Sequence, residues 1–434
     1  MTLTTAPGTA PLVDSEQQTA VWTYNGNVPG PVLRVRQNDE VRVRLHNQLP
    51  AGTTIHWHGI RIDNAMDGVA DLTQAPVAAG DAFDYRFRVP DAGTFWYHPH
   101  FRSWEQVARG LHGLLIVEES RPIQVDQDIP LLLDDWLLDN DEQIDTARFG
   151  NMHDATHAGR LGNVLTANGK PAPDLHVRAG ERLRLRLLNA ANARVLTLDF
   201  DALPATIVAL DGQPVVPRKL DRSRLTLAPG QRADVVTDVA PGDGRSSELL
   251  AITRGGETLA ARFVLKGPPL RETLPNSPIA LPANPVEKRL SHGDKLVVDL
   301  LMQGGVHGNL ESAMYLGKRQ SIRSLVREGK AWAFNGEVGM PRKPLFSVQR
   351  GRTVEIRMVN DTGWPHAMHF HGHHVRVAAD TREEIAGDWR DTVLVQPQET
   401  LPVEFVADNP GKWMLHCHML EHQAAGMATW FEVT

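Results

Sequence analysis

"VRQNDEVRVRLHN" (35–47), "VRAGERLRLRLLN" (177–189) and "VQRGRTVEIRMVN" (348–360) align without a gap. Each opens on Val, places a turn residue three positions on (Asn38, Gly180, Gly351) and ends Arg-x-x-Asn. An Asn-Gly precedes each copy, at 25–26, 168–169 and 335–336. Apolar and polar residues alternate along each segment, as in "DYRFRV" elsewhere, and period two defines half-buried antiparallel strands. On this reading Arg182, Arg184 and Arg186 form the solvent face of their strand. A segment that recurs at offsets of 142 and 171 residues marks three homologous β domains. The expected boundaries are 1–120, 121–273 and 274–434, the last opening on the Pro-rich "LPNSPIALPANPVEK" (274–288). Few stretches read as long amphipathic helices, so the fold class is all-β, in sandwiches.

Length and charge agree. A chain of 434 residues is too long for one core. A net charge of −7 offers no basic field for nucleic acid. No apolar run approaches membrane-spanning length, so no membrane insertion is expected, and a monomer suffices. The start, "MTLTTAPGTAPLVDSE", has neither a basic n-region nor an apolar h-region, so any export signal is expected to have been removed. One Cys excludes an intramolecular disulfide.

The histidines fall on the repeat. His56 and His58 lie 9 and 11 residues beyond Asn47, and His369 and His371 lie 9 and 11 beyond Asn360. The second copy has Leu198 and Phe200 there. His98 and His100 lie 5 and 7 beyond Gly93, and His416 and His418 lie 5 and 7 beyond Gly411. On a strand, residues two apart share a face, about 6.8 Å apart by rise. Each pair therefore aims two imidazoles at one place. Eight imidazoles from the first and third domains imply a polynuclear metal site between them, and suit three ions.

Cys417 sits between His416 and His418 and so faces the other way. His366, His422 and Met427 remain to surround it. Two imidazoles, a thiolate and a weak axial thioether form a blue-copper electron-transfer site. Zinc also takes Cys and His, but has little use for an axial Met and none for a redox relay. The first domain has Thr53 and Pro99 where the third has His366 and Cys417, so this site exists once.

These residues resemble the multicopper oxidases, specifically three-domain laccase-like bacterial members. The resemblance spans "YNGNVPGPVLRVRQNDEVRVRLHNQLP", "HWHG", "WYHPH", "PHAMHFHG" and "HCHMLEHQAAGM". It implies three cupredoxin-like Greek-key β-sandwiches and four copper ions: one type 1, one type 2 and two type 3. It implies a small-molecule electron donor and dioxygen as substrates, and a periplasmic or secreted location. Carried over, the type 1 ligands are His366, Cys417, His422 and Met427. Type 2 copper takes His56 and His369. The type 3 ions take His58, His98 and His418, and His100, His371 and His416. Asp67 matches an acidic residue that assists protons at the trinuclear centre. Gln423 departs from the pattern, since many bacterial relatives carry a Glu implicated in proton delivery there; Glu421 is a candidate substitute, although strand alternation could equally aim it at solvent. The methionine-rich insert of cuprous-oxidase relatives is missing.

Phenols or similar aromatics are the expected donors. A cuprous or ferrous oxidase keeps the chemistry with another donor, and a non-catalytic copper scaffold is the rival from another class. Nine histidines stand outside the scheme: 46, 112, 153, 157, 176, 292, 307, 373 and 374. Two loops, "FGNMHDATHAGRLG" (149–162) and "LMQGGVHGNLESAMYLG" (301–317), are candidates to cover the type 1 site or capture a soft ion such as Cu(I). "DDWLLD" (134–139) reads as an early strand of the second domain. "GDWRDT" (387–392) reads as a turn and strand start, not a substrate clamp.

Overall fold

The structure is a computed structural model that describes all residues except 202, 242–245, 254, 287–289, 291–294 and 379–386. His292 and the last residues of the 274–288 segment lie outside the described residues. The three repeat segments become three equivalent strands, Glu40–Asn47, Arg182–Asn189 and Thr353–Asn360. Each lies parallel to an earlier strand: Thr2–Ala10, Gln127–Trp136 and Leu296–Gly304 respectively. Each lies antiparallel to a later one: Ala82–Arg88, Arg232–Asp238 and Thr400–Val406. A second sheet packs on each: Gly93–His98 lies in the first domain's, Leu196–Asp199 in the second's, Gly411–Cys417 in the third's. The chain is thus three cupredoxin-like β-sandwiches. Its longest helix among the described residues, Ile322–Arg327, has six residues.

The repeated residues have repeated jobs. Asn25, Asn168 and Asn335, with the Gly after each, all have positive φ, near 50° and 75°. Two successive left-handed residues make the type I′ turn that suits the twist of a hairpin. Each Asn side chain also accepts from a neighbouring strand's backbone N–H, at Thr4, Leu132 and Leu301. The closing Asn47, Asn189 and Asn360 are buried, and each Oδ1 accepts from the N–H two residues on. That Asx turn ends the strand and launches the loop to the next one. In the first and third domains the next strand carries histidines.

One expectation fails. Arg182, Arg184 and Arg186 are buried, not solvent-facing. The face expected to meet water meets the first domain and the 274–288 segment instead. Arg184 pairs with Glu119 and Asp234, Arg186 with Asp128 and Asp234, and Arg182 with Asp238 and the Pro275 carbonyl. Period-two alternation tells which residues share a face, and not what covers that face.

Candidate copper centres

Strand register assembles the eight imidazoles. His56 lies opposite His98 across one strand pair, and His369 opposite His416 across another. All eight rings are buried at the boundary of the first and third domains. His58, His98 and His418 present nitrogens within 4.8 Å of one another, as do His100, His371 and His416, and His56, His58 and His369. His56 Nε2 and His369 Nε2 are 3.4 Å apart, and His416 Nε2 lies 3.2 Å from His371 Nε2 and 3.3 Å from His100 Nε2.

The outward nitrogens are held. His98 Nδ1 meets the Pro99 carbonyl at 3.0 Å and His416 Nδ1 the Cys417 carbonyl at 2.9 Å. His56 Nδ1 meets the Asp67 carbonyl at 2.8 Å, and His371 Nδ1 meets Asp67 Oδ2 at 2.9 Å. These acceptors fix each N–H outward, so the other nitrogen turns its lone pair inward. His58 Nδ1, His98 Nε2 and both ring nitrogens of His418 are buried without any partner. Burial first, then the neighbouring imidazoles, holds His98, His100, His371, His416 and His418 well below the usual histidine pKa. Neutral imidazoles with facing lone pairs form a donor set that fits a cation.

Asp67 is therefore buried where expected, touching one imidazole from each domain. A second carboxylate does the same and was missed. Asp391 Oδ1 is 3.0 Å from His58 Nε2, and its carbonyl is 2.9 Å from His369 Nδ1. "GDWRDT" does begin strands, Trp389–Arg390 and Thr392–Val395, but the residue between them faces the cluster. Burial pushes the Asp391 carboxyl up; Arg232 and His58 outweigh that and hold it well below the usual range. Arg232 comes from the second domain, whose Gly230 also approaches. A Cβ on Gly230, at φ +83°, would sit 3.0 Å from His418 Cγ and 3.1 Å from His58 Cε1. No motif pointed to these residues, because the second domain carries no histidine pair.

On the other face of the strand, Cys417 Sγ is 3.7 Å from His366 Nδ1 and 3.8 Å from His422 Nδ1. Thr362 Oγ1 holds His366 Nε2 at 2.9 Å, and the His157 carbonyl accepts from His422 Nε2 at 2.7 Å. Met427 is buried beside them, its carbonyl accepting from the Cys417 N–H at 3.1 Å. Burial pushes the Cys417 thiol up to about 12 and the His422 imidazole down to about 4. A thiolate there needs a bound cation, and thiolate with two imidazoles and a thioether fits copper. In the first domain Thr53 Oγ1 instead donates to Gln106.

Both candidate loops meet over His422. The Thr156 carbonyl accepts from the Val306 N–H, and Trp364 Nε1 donates to the Val306 carbonyl. His153 stacks on His157, which abuts Trp364. Glu421 is buried, not at solvent: its carboxylate accepts from Asn192 Nδ2 at 2.8 Å and from the Arg160 N–H at 3.1 Å, and burial raises its pKa to about 7. Gln423 Oε1 accepts from Ser103 Oγ at 2.8 Å. Among the leftover histidines, His112 pairs with Asp134 on the strand Gln127–Trp136, while His373 and His374 are buried near the cluster.

Models of the multicopper oxidase family match residues 8–122, 127–245 and 313–434. The multicopper oxidase MmcO of Mycobacterium tuberculosis is 30% identical, over 94% of this chain and 82% of that protein. Among solved structures, the multicopper oxidase from Pseudomonas thermotolerans is 33% identical with a TM-score of 0.84, covering 100% of this chain and 98% of that one. Lac15 from a marine microbial metagenome is 40% identical with a TM-score of 0.79, covering 100% of both chains. The chain belongs to the multicopper oxidase family. It is accordingly a copper-dependent oxidoreductase that uses dioxygen, of a family that binds four coppers. Relatives named laccase and relatives named for iron transport or as a metallo-oxidase both occur, so kinship leaves the donor open.

Proposed function

We propose that this chain is a laccase-like oxidase coupling one-electron oxidation of phenolic or similar aromatic donors to four-electron reduction of dioxygen to water. In this reading His366, Cys417, His422 and Met427 hold type 1 copper, and His56 and His369 hold type 2. His58, His98 and His418 hold one type 3 ion; His100, His371 and His416 hold the other. Bound copper would supply the one-electron steps and the four-electron store. The domains span 1–120, 121–273 and 274–434, the chain acts as a monomer, and its location is periplasmic or secreted.

The observation that carries the reading is one strand serving two sites. Cys417 and its flanking His416 and His418 point to opposite faces, and the His416 ring bonds back to the Cys417 carbonyl. The aromatic donor is supported by the rim over His422. Trp364 and His157 form it, and Asp154, the carboxylate of that loop, is buried against Arg148 and so withheld from a metal-ion substrate. Asp67 positions His56 and His371 and, with Glu421, is the proton-carrying carboxyl of this scheme. Gln423 carries no proton, because an amide does not titrate.

Copper-loaded protein should be assayed for oxygen uptake against a panel of phenols, Fe(II) and Cu(I). The phenols are expected to give the highest kcat/KM. A higher value for either metal ion would make the chain a metallo-oxidase. No uptake with any donor, at four coppers per chain, would leave a copper-binding scaffold.

A further inference from the structure

We infer that Arg232 and Asp391 form a clamp through which the second domain, without a histidine pair of its own, sets the geometry of the trinuclear site. The inference rests on the ligand assignment proposed above. Arg232 is fully buried and touches all three domains. Within its own domain Nη1 donates to the Gly230 carbonyl at 3.0 Å. Into the first domain Nε donates to the Thr94 carbonyl at 3.1 Å, on the strand that carries His98. Into the third domain it grips Asp391 with both nitrogens, Nη1 to Oδ1 at 2.8 Å and Nη2 to Oδ2 at 2.5 Å. Asp211 ties down the same junction, accepting from the Arg232 N–H at 2.9 Å and the Thr392 N–H at 3.3 Å.

The clamp acts on ligands through Asp391. Its Oδ1 accepts from His58 Nε2, which leaves Nδ1, partnerless, aimed at His98 and His418. Its carbonyl accepts from His369 Nδ1, which leaves Nε2 facing His56. Asp391, joined by the Thr392 hydroxyl that donates to it and lies 3.2 Å from the same two nitrogens, thus selects the tautomer and angle of an imidazole from each half of the cluster. The guanidinium fork makes that possible. Two donors hold both carboxylate oxygens in one plane, which a lysine's single ammonium does not do. Asp67 has the corresponding role for His56 and His371 but has no guanidinium behind it among the bonds described. Arg232 and Asp391 are positioning residues; neither needs to touch substrate.

The test uses copper-loaded full-length protein: wild type, Arg232→Lys, Arg232→Met and Asp391→Asn. Copper per chain, the thiolate-to-copper visible band and the type 2 electron paramagnetic resonance signal are read during titration with EDTA. The band reports the Cys417 site and serves as a folding control, since neither clamp residue contacts that site. The variants are expected to keep the band while losing cluster copper at an EDTA concentration about 10–100-fold lower than wild type, with a shifted or weakened type 2 signal. Arg232→Lys should lie nearer to Arg232→Met than to wild type, because the fork and not the charge is what the geometry uses. If Arg232→Met does not fold, the isosteric Asp391→Asn decides. Wild-type EDTA resistance and an unchanged type 2 signal in Asp391→Asn and Arg232→Lys would overturn the clamp. A wild type that never exceeds one copper per chain would overturn the trinuclear assignment and the clamp with it.

Discussion

Cys417 and His416 are neighbours on one strand, yet their sites are built by different means. The Cys417 pocket draws His366, His422 and Met427 from the third domain alone. Its outward nitrogens meet neutral groups, a threonine hydroxyl and a carbonyl. The eight-histidine cluster draws equally on two domains, and two buried aspartates, Asp67 and Asp391, each hold one imidazole from either half, one through the carboxylate and one through the backbone carbonyl. A ligand set within one fold is placed by that fold's own strands, and here only the His157 carbonyl reaches in from the second domain. A set split across an interface has to be held by charge as well, because packing at a boundary does not orient a ring on the far side.

The sharpest break between the faces is at Cys417. Cys417→Ser should abolish the intense visible band and oxidase activity together while cluster copper stays bound. A blue protein after that change would end the type 1 assignment.

Acid should separate the faces next, in metal-free protein. His422 is held near 4 by burial, against 6.5 in an unfolded chain. Below 6.5 the unfolded chain binds protons that the folded chain refuses until about 4, so stability is lost as pH falls through that window. By pH 5 each such imidazole costs about 2 kcal/mol. The cluster's rings are pushed down too and outnumber the pocket's, so they should dominate. Thermal melts at pH 7.5 and 5 check this; a flat midpoint for the metal-free chain would mean the rings are not buried as described.

Asp67→Asn tests the carboxylate half of the comparison. It should lower kcat by about 10–100-fold with little change in the donor's KM, and leave the visible band intact. An equal loss of band intensity would show that Asp67 supports the whole fold and not the cluster.

Smaller effects come from the axial residue of the pocket and from Gln423 near it. Met427→Leu should keep four coppers and raise the type 1 potential, because a weak donor to Cu(II) is removed. A redox titration with no rise and the band unchanged would make Met427 a core residue. Gln423→Glu should speed turnover by no more than a few-fold at neutral to alkaline pH, since Glu421 already supplies a buried carboxyl nearby. The check is kcat against pH with a fast donor in excess; slower turnover at every pH would show that the bond from Ser103 to Gln423 matters more than a further carboxyl.

Local rules sufficed for much of this protein. Asn-Gly turns, Asx turns and period-two alternation act within a few residues, so the three sandwiches were legible as a repeat. The opposite facing of Cys417 and His416 follows from the pleat alone. The groupings of His58 with His98 and His418, and of His100 with His371 and His416, needed the resemblance, because spacing does not say which pair meets which.

Other features depended on what the chain packs against. Arg182, Arg184 and Arg186 read as a wet face and are buried, because the first domain supplies Glu119 to Arg184 and Thr94 to Arg186, while the 274–288 segment covers Arg182. Asp391 read as a strand start and Glu421 as a residue that could face solvent; both are buried, one under Arg232 and one under Asn192. Periodicity along a chain records only which side chains share a face. Whether that face meets water, metal or another domain is decided by contacts between residues tens to hundreds of positions apart, and those exist only once the domains have docked.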